Sequence, residues 1–199
     1  MLGHTLVAAA WAPLHARSAR RVARAFIRFA LAEEGSALTM RWAAAQTEDP
    51  KRAALYLRHA TDERRHARAM RARARELDEA LSRASADAHA DGEDLFAVLG
   101  ERRFLAFVTL AERRGLAELG AHQRAMAKAG DARSSSVLQA ILVDEQRHAT
   151  YSRSLLDAMC GSAPRARWVM IRVALWETRR AIFRSSATMG RALYSLLMA

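Results

Sequence analysis

The chain of 199 residues contains one cysteine, Cys160, three prolines and nine glycines. A single cysteine excludes an intrachain disulfide framework and a thiolate zinc cluster, and it is typical of a protein from a reducing compartment. The two residue types that break helices are scarce, whereas alanine, the strongest helix former, occurs 45 times. The composition therefore predicts an all-α protein, and the length predicts one domain with its own core.

Long uncharged apolar runs are also missing. No stretch of about 18 such residues occurs, so the sequence predicts no ordinary transmembrane helix. Residues 5–14 are apolar, but no cationic region precedes them, which makes them a poor match to a signal peptide. We therefore expect a cytoplasmic protein, with a peripheral position on the inner membrane as the alternative.

Lysine is nearly absent as well, because 30 of the 32 basic residues are arginine. The formal net charge is +11, a value that first suggests an anionic partner such as nucleic acid or a membrane. Residues 1–32 contribute +5 and residues 164–199 contribute +6, whereas 20 basic and 20 acidic side chains cancel over residues 33–163. The excess charge thus lies in two arginine-rich ends.

Helix start and stop signals divide the chain into five helices. Asp49 followed by Pro50 is a helix start, and Gly130 and Gly161 are helix stops. The tight links after the first and third helices predict two antiparallel pairs, packed as a four-helix bundle. We expect an N-terminal segment (1–17), the bundle (18–160) and a basic amphipathic C-terminal helix (161–199). The predicted helices run over about 18–47, 49–86, 94–128, 131–160 and from 164 onward.

Two copies of the pattern Asp-Glu-x-Arg-His occupy residues 62–66 and 144–148. The spacing of three residues places Glu63 and His66 on one helix face, and Glu145 and His148 on another. Apolar neighbours at helical spacing show that both faces point to the core, where an unpaired charge is prohibitively unfavourable. The two pairs therefore require cations.

The other two long helices supply further acids. Glu112 lies on the apolar face of the third helix, and Glu33 and Glu34 interrupt the apolar pattern of the first. Periodicity alone does not decide between Glu33 and Glu34. Glu-x-x-His from each of two helices, with one glutamate from each of the other two, is the ligand set of a pair of iron or manganese ions.

These residues resemble the ferritin-like di-iron carboxylate superfamily over about residues 20–160. Residues 32–37, Ala-Glu-Glu-Gly-Ser-Ala, look like the Glu-x-x-Ala of that family's first helix, which selects Glu34, although Arg41 stands where the family usually has tyrosine. The resemblance implies that Glu63 and Glu145 bridge the metals, with one histidine for each ion. The implied metal ligands are Glu34, Glu63, His66, Glu112, Glu145 and His148.

The doubled motif is most similar to oxygen-activating members of the superfamily, the monooxygenases and desaturases. The spacing of the implied ligands along the chain resembles that of the demethoxyubiquinone hydroxylases. The resemblance implies that Asp62 and Asp144 accept hydrogen bonds from the ring N–H groups of ligand histidines. It also implies that Arg147 orients carboxylates. Tyr151 lies one turn after His148 and is a candidate hydrogen-bond donor or redox partner, with simple packing as its alternative.

The sequence does not decide the roles of two further side chains, Arg65 and His59. Arg65 occupies the same motif position as Arg147, and for both the alternative is a solvated helix face. His59 lies one turn before Glu63, where it is either a neighbour of the ligands or an ordinary core or surface histidine.

The expected function is that of an oxygen-dependent di-iron oxidoreductase, a hydroxylase, monooxygenase or desaturase of a hydrophobic or lipid-like substrate. Its cofactors are two iron ions, with manganese as the alternative, and dioxygen is the co-substrate. A reductase supplies the electrons. The alternatives are a ferroxidase or rubrerythrin-like peroxide-reducing protein and, further off, a tRNA-modifying hydroxylase.

The C-terminal helix combines apolar residues at intervals of seven with many arginines. Three interpretations are open: it packs on the bundle or forms a homodimer contact, it lies on an anionic membrane, or it binds RNA. The residues at intervals of seven are Trp168, Leu175, Ile182, Met189 and Leu196.

Overall fold

A computed structural model describes residues 16, 18–88, 90 and 93–197, with side chains as far as Ala181. The described part is all-helical and contains no strand. Apart from Ala16, the predicted N-terminal segment lies outside the described residues, as do the last three side chains of the seven-residue pattern. The helices are α1 (Ala19–Gln46), α2 (Pro50–Leu77), α3 (Glu79–Ala84), α4 (Leu95–Leu99), α5 (Glu101–Lys128), α6 (Ala132–Cys160) and α7 (Ala163–Leu197).

Two predicted helices are interrupted in the structure. The second ends at Leu77 because Asp78 is extended (φ −157°), and the Asp78 side chain then caps the short α3. The third is divided by Gly100, whose φ of +70° is incompatible with a continuous right-handed helix. The predicted starts and ends at Pro50, Lys128 and Cys160 agree with the structure.

We call α1, α2, α5 and α6 the four long helices. They associate in pairs, α1 along α2 and α5 along α6. Their apolar side chains form two separate cores, and each long helix contributes to both. One core contains Met40, Tyr56, Phe104 and Leu156. The other contains Phe26, Met70, Met126 and Leu138. Along every long helix the segment between these two apolar stretches carries at least one buried charged or histidine side chain, so a polar layer lies between the two apolar cores.

Helix α7 packs against α5 and α6 through Ala166, Met170 and Val173, which are buried in the first core. Large side chains on other positions, including Trp168 and Leu175, are more than half exposed. The packing agrees with the interpretation of α7 as a helix added to the four long ones, while binding to a membrane, RNA or a second copy stays a prediction. Among the described residues no helix has the length and apolarity needed to cross a bilayer.

Candidate metal centre

Seven buried histidine and glutamate side chains converge in the polar layer. They form two groups of potential metal donors, and within each group the ligand atoms lie within 4.8 Å of one another. Glu63 belongs to both groups. The first group is His59, Glu63, Glu112 and His148; the second group is Glu33, Glu63, His66 and Glu145.

All four long helices take part. Helix α1 supplies Glu33, α5 supplies Glu112, and the remaining donors come from α2 and α6. On α2 the donors are spaced by four and three residues, as His59, Glu63 and His66, which keeps them on one helix face. The Glu-x-x-His pairs predicted from the sequence therefore do point into the interior together.

The choice of Glu34 as the donor from α1 is corrected by the structure. Glu33 is 9% exposed and belongs to the second group. Glu34 instead accepts two hydrogen bonds from the guanidinium of Arg71, at 2.6 and 3.0 Å, on the outside of the helix pair. A carboxylate already paired with arginine at the surface is not available to an ion in the interior. The family-like Glu-x-x-Ala pattern selected the wrong one of two adjacent residues.

His59 is a donor that the sequence pattern left unresolved. Its ring is fully buried and stacks on the ring of His148, with 3.7 Å between centroids. Its Nε2 atom lies 2.8 Å from an oxygen of Glu63 and 3.4 Å from one of Glu112. The spacing of four residues from Glu63 was the available signal, because it continues the face formed by Glu63 and His66.

The aspartates of the two motifs contact histidines of the opposite helix. Asp62 on α2 lies 3.3 Å from Nε2 of His148 on α6, and Asp144 on α6 lies 3.1 Å from Nε2 of His66 on α2. An N–H donor at Nε2 leaves Nδ1 of each ring as the metal-facing nitrogen. The predicted aspartate–histidine contacts are therefore present, and each one joins the two helices.

Arg147 lies outside the cluster. Its side chain is 57% exposed and its guanidinium contacts Asp62 at 3.0 Å and Asp144 at 2.7 Å. Arg65 contacts the same two carboxylates from the opposite motif. The two arginines thus orient the aspartates rather than the donor glutamates, and any effect on chemistry acts through the aspartate–histidine contacts.

Tyr151 contacts the cluster through His59 and His148. Its hydroxyl lies 2.6 Å from Nδ1 of His59, and its ring meets the rings of His59 and His148 edge to face. Burial, followed by the charge of Glu112, raises the pKa of Tyr151 above its ordinary value, so the phenol keeps its proton. For Nε2 of His59 to bind a metal ion, Nδ1 must carry the ring proton and donate it to the Tyr151 oxygen, which leaves the Nε2 lone pair directed at the cluster.

Buried atoms without a hydrogen-bond partner mark the centre of the cluster. They include Oε2 of Glu33, Nδ1 of His66, Oε1 of Glu145 and Nδ1 of His148. Buried polar atoms are almost always paired, since an unpaired one is destabilising by about 1–3 kcal/mol. The residues that carry these atoms belong to the two donor groups, so the donor set fits a metal ion.

The pKa values of the metal-free cluster also indicate a site that favours a bound cation. Burial, followed by repulsion from Glu63, raises the pKa of Glu33 and of Glu112 well above the ordinary value. Burial opposes the charged form of His66, but its contacts with Glu145 and Glu33 outweigh this and raise its pKa to about 11. Without metal, the cluster therefore favours the protonated forms of Glu33, Glu112 and His66, and a divalent cation would displace these protons.

His59 differs from the other two histidines of the cluster. Burial, followed by repulsion from His148, lowers the pKa of His59 to about 3, so its ring is neutral at physiological pH. A neutral imidazole has a free lone pair and is ready to bind a metal ion.

No protein-family model, curated protein or solved structure matches the chain. The conclusion about the site therefore depends on its own geometry: this is a helical protein with a buried histidine and glutamate cluster that can hold metal ions.

Proposed function

We propose that the protein is an oxygen-dependent di-iron oxidoreductase, a hydroxylase or desaturase of a hydrophobic organic substrate, built on a ferritin-like four-helix bundle. The observation that carries this proposal is the pair of donor groups joined by Glu63. The four carboxylates of the cluster would balance the charge of two divalent ions. Oxygen and imidazole donors without thiolate suit iron, and manganese is the alternative.

The chemistry that a bound iron pair supplies is the transfer of electrons to dioxygen. Hydroxylation consumes one dioxygen, two electrons and two protons, and it yields an alcohol and one water. Desaturation uses the same inputs and yields an alkene and two waters. A reductase would supply the electrons in both cases.

The residues of this chain have three tasks in such a reaction. Asp62 and Asp144 fix the orientation and the tautomer of the two histidines that they contact. The apolar cores above and below the polar layer exclude water, which protects a reactive oxidant from side reactions. Tyr151 holds a proton at its hydroxyl, one contact away from the donor His59.

Anaerobic titration with Fe(II) tests the metal centre first. We expect two irons per chain and a sharp loss of this stoichiometry in Glu63→Gln, because Glu63 belongs to both donor groups. The matched control is Glu118→Gln, since Glu118 is a part-exposed glutamate on α5 paired with Arg28. Full iron loading of Glu63→Gln would contradict the assignment.

Oxygen consumption by the reduced protein then separates the candidate activities. A hydroxylase or desaturase consumes oxygen faster, and forms an oxidised organic product, when a lipid extract is added. A ferroxidase oxidises added Fe(II) at a rate that the extract leaves unchanged. Stimulation by tRNA with a modified nucleoside as the product would favour the tRNA hydroxylase, and either of the last two results would replace the proposed activity.

A further inference from the structure

A cavity of about 610 Å³ lies between α1, α5 and α7, and Glu112 of the first donor group is part of its wall. The cavity exists because the backbones of α1 and α5 hardly approach one another, in contrast to the close pairs α1–α2 and α5–α6. The side chains of α1 on this side are small, with Ala32, Gly35 and Ser36 in the lining. A space thus leads from the protein surface to the donor residue Glu112.

The wall is mainly apolar. Met40 closes it from α1, Phe107, Val108 and Ala111 line it from α5, and Trp176 covers it from α7. An apolar ligand gains about 25 cal/mol for each Å² of surface that it removes from water here. The lining therefore favours a hydrophobic molecule over a polar one.

Apart from Glu112, the charged side chains of the cavity wall are paired within the chain. Glu177 accepts two hydrogen bonds from Arg114, at 2.8 and 3.0 Å. Glu93 is paired with Arg180, whose guanidinium also lies over the ring of Trp176, 5.2 Å from its centroid. An anionic ligand would have to break one of these pairs to find a cation, and it would also approach the carboxylate of Glu112. Charge thus selects against an anion.

We propose that this cavity binds the organic substrate, and that the substrate is an uncharged, mainly apolar molecule whose inner end lies beside Glu112. The inference rests on the proposed function, because it assigns a substrate to the same centre. Helix α7 is then part of the substrate site, with Trp176 and the Arg180–Glu93 pair as its outer wall.

Calorimetric binding of two probes of equal chain length, decan-1-ol and decanoate, tests the charge selectivity. The full-length chain is used both metal-free and loaded with Zn(II), which binds nitrogen and oxygen donors without redox chemistry. Decan-1-ol should bind at least about tenfold more tightly than decanoate, since an unpaired buried carboxylate is strongly unfavourable. Equal or tighter binding of decanoate would overturn the proposed substrate class.

Two substitutions on opposite walls test the location. Ala111→Phe fills the cavity from α5, and Ser36→Leu narrows it from α1. Each should weaken decan-1-ol binding by about tenfold or more and leave Zn(II) stoichiometry unchanged. The control is Ala127→Phe, which adds the same ring to an exposed position of α5. Unchanged affinity in both cavity variants would refute the location.

The metal-free arm separates this inference from the proposed function. If decan-1-ol binds the metal-free chain and both cavity variants lose that binding, the ligand site stands even where the chain fails to load two irons. If two irons are loaded and neither probe binds the cavity, the metal centre stands and the substrate site is wrong.

Discussion

Around the shared Glu63, the first donor group offers two imidazoles and two carboxylates, whereas the second offers one imidazole and three carboxylates. The two groups nevertheless share one arrangement of residues, because each motif position on α2 corresponds to the position 82 residues later on α6. The corresponding pairs are Asp62 and Asp144, Glu63 and Glu145, Arg65 and Arg147, and His66 and His148.

The difference between the groups comes from two positions at which this correspondence fails. His59 corresponds to the buried Ile141, and Tyr151 corresponds to Ala69. His59 and Tyr151 contact each other, so the first group alone has an additional imidazole–phenol pair. A nitrogen-rich site favours Fe(II) or Co(II), and a carboxylate-rich site suits Mn(II) better. The comparison therefore predicts two inequivalent metal sites.

The largest effect is expected from the adjacent glutamates of α1. Glu33→Gln removes a donor charge from the second group, so its affinity for Co(II) should fall by more than the roughly 10–100-fold typical of losing an outer hydrogen-bond partner. Glu34→Gln removes only a surface contact with Arg71 and should leave both affinities nearly unchanged. Visible-absorption titration with Co(II) measures the two steps. Similar losses in the two variants would contradict the placement of Glu33.

The next largest effect on Co(II) affinity is expected from a substitution that makes α2 more similar to α6. His59→Ile places on α2 the residue that α6 has at the corresponding position, and it should weaken Co(II) binding to the first group by about a hundredfold. The second group should retain its affinity. The control is His122→Ile, because His122 is a buried histidine of α5 that lies outside both donor groups and meets the ring of Phe29. A two-step titration unchanged by His59→Ile would exclude His59 as a ligand.

The crossed aspartates should act on one group each. Asp62→Asn disturbs His148 and the first group, and Asp144→Asn disturbs His66 and the second, each by about 10–100-fold in metal affinity. In the Co(II) protein, each variant should shift the paramagnetic proton NMR signal of the ring N–H on the histidine that it contacts. A shift of the His66 signal in Asp62→Asn, and of the His148 signal in Asp144→Asn, would show that each aspartate acts on the histidine of its own helix.

Much of the fold and most of the site follow from local sequence signals. The Glu-x-x-His pairs on α2 and α6, and Glu112 on α5, could be placed because helical periodicity orients a residue relative to its apolar neighbours. The breaks at Asp78 and Gly100 were missed, since one residue with an extended or positive-φ backbone interrupts a helix without changing the pattern around it.

Other parts of the site depend on contacts between helices, to which periodicity is blind. Glu33 and Glu34 differ in the residue of α2 that each one contacts. Glu33 meets His66 in the interior, and Glu34 meets Arg71 on the outside. In the same way, the position of His59 against Tyr151 and His148 requires the packing of α2 on α6. The sequence also holds no signal for the cavity, because it lies where two helices fail to approach.

The smallest expected effect tests the unit that makes the groups unequal. Tyr151→Phe removes the hydrogen bond between the phenol oxygen and Nδ1 of His59 and leaves the ring in place. A neutral hydrogen bond of this kind contributes about 1 kcal/mol, so Co(II) affinity of the first group should fall by about fivefold. The second group should not respond, because the ring and hydroxyl of Tyr151 contact His59 and His148, which both belong to the first group. A change in both groups would mean that the hydroxyl acts through Glu63, which both groups share. A change confined to the second group would contradict the role given to the contact of His59 with Tyr151.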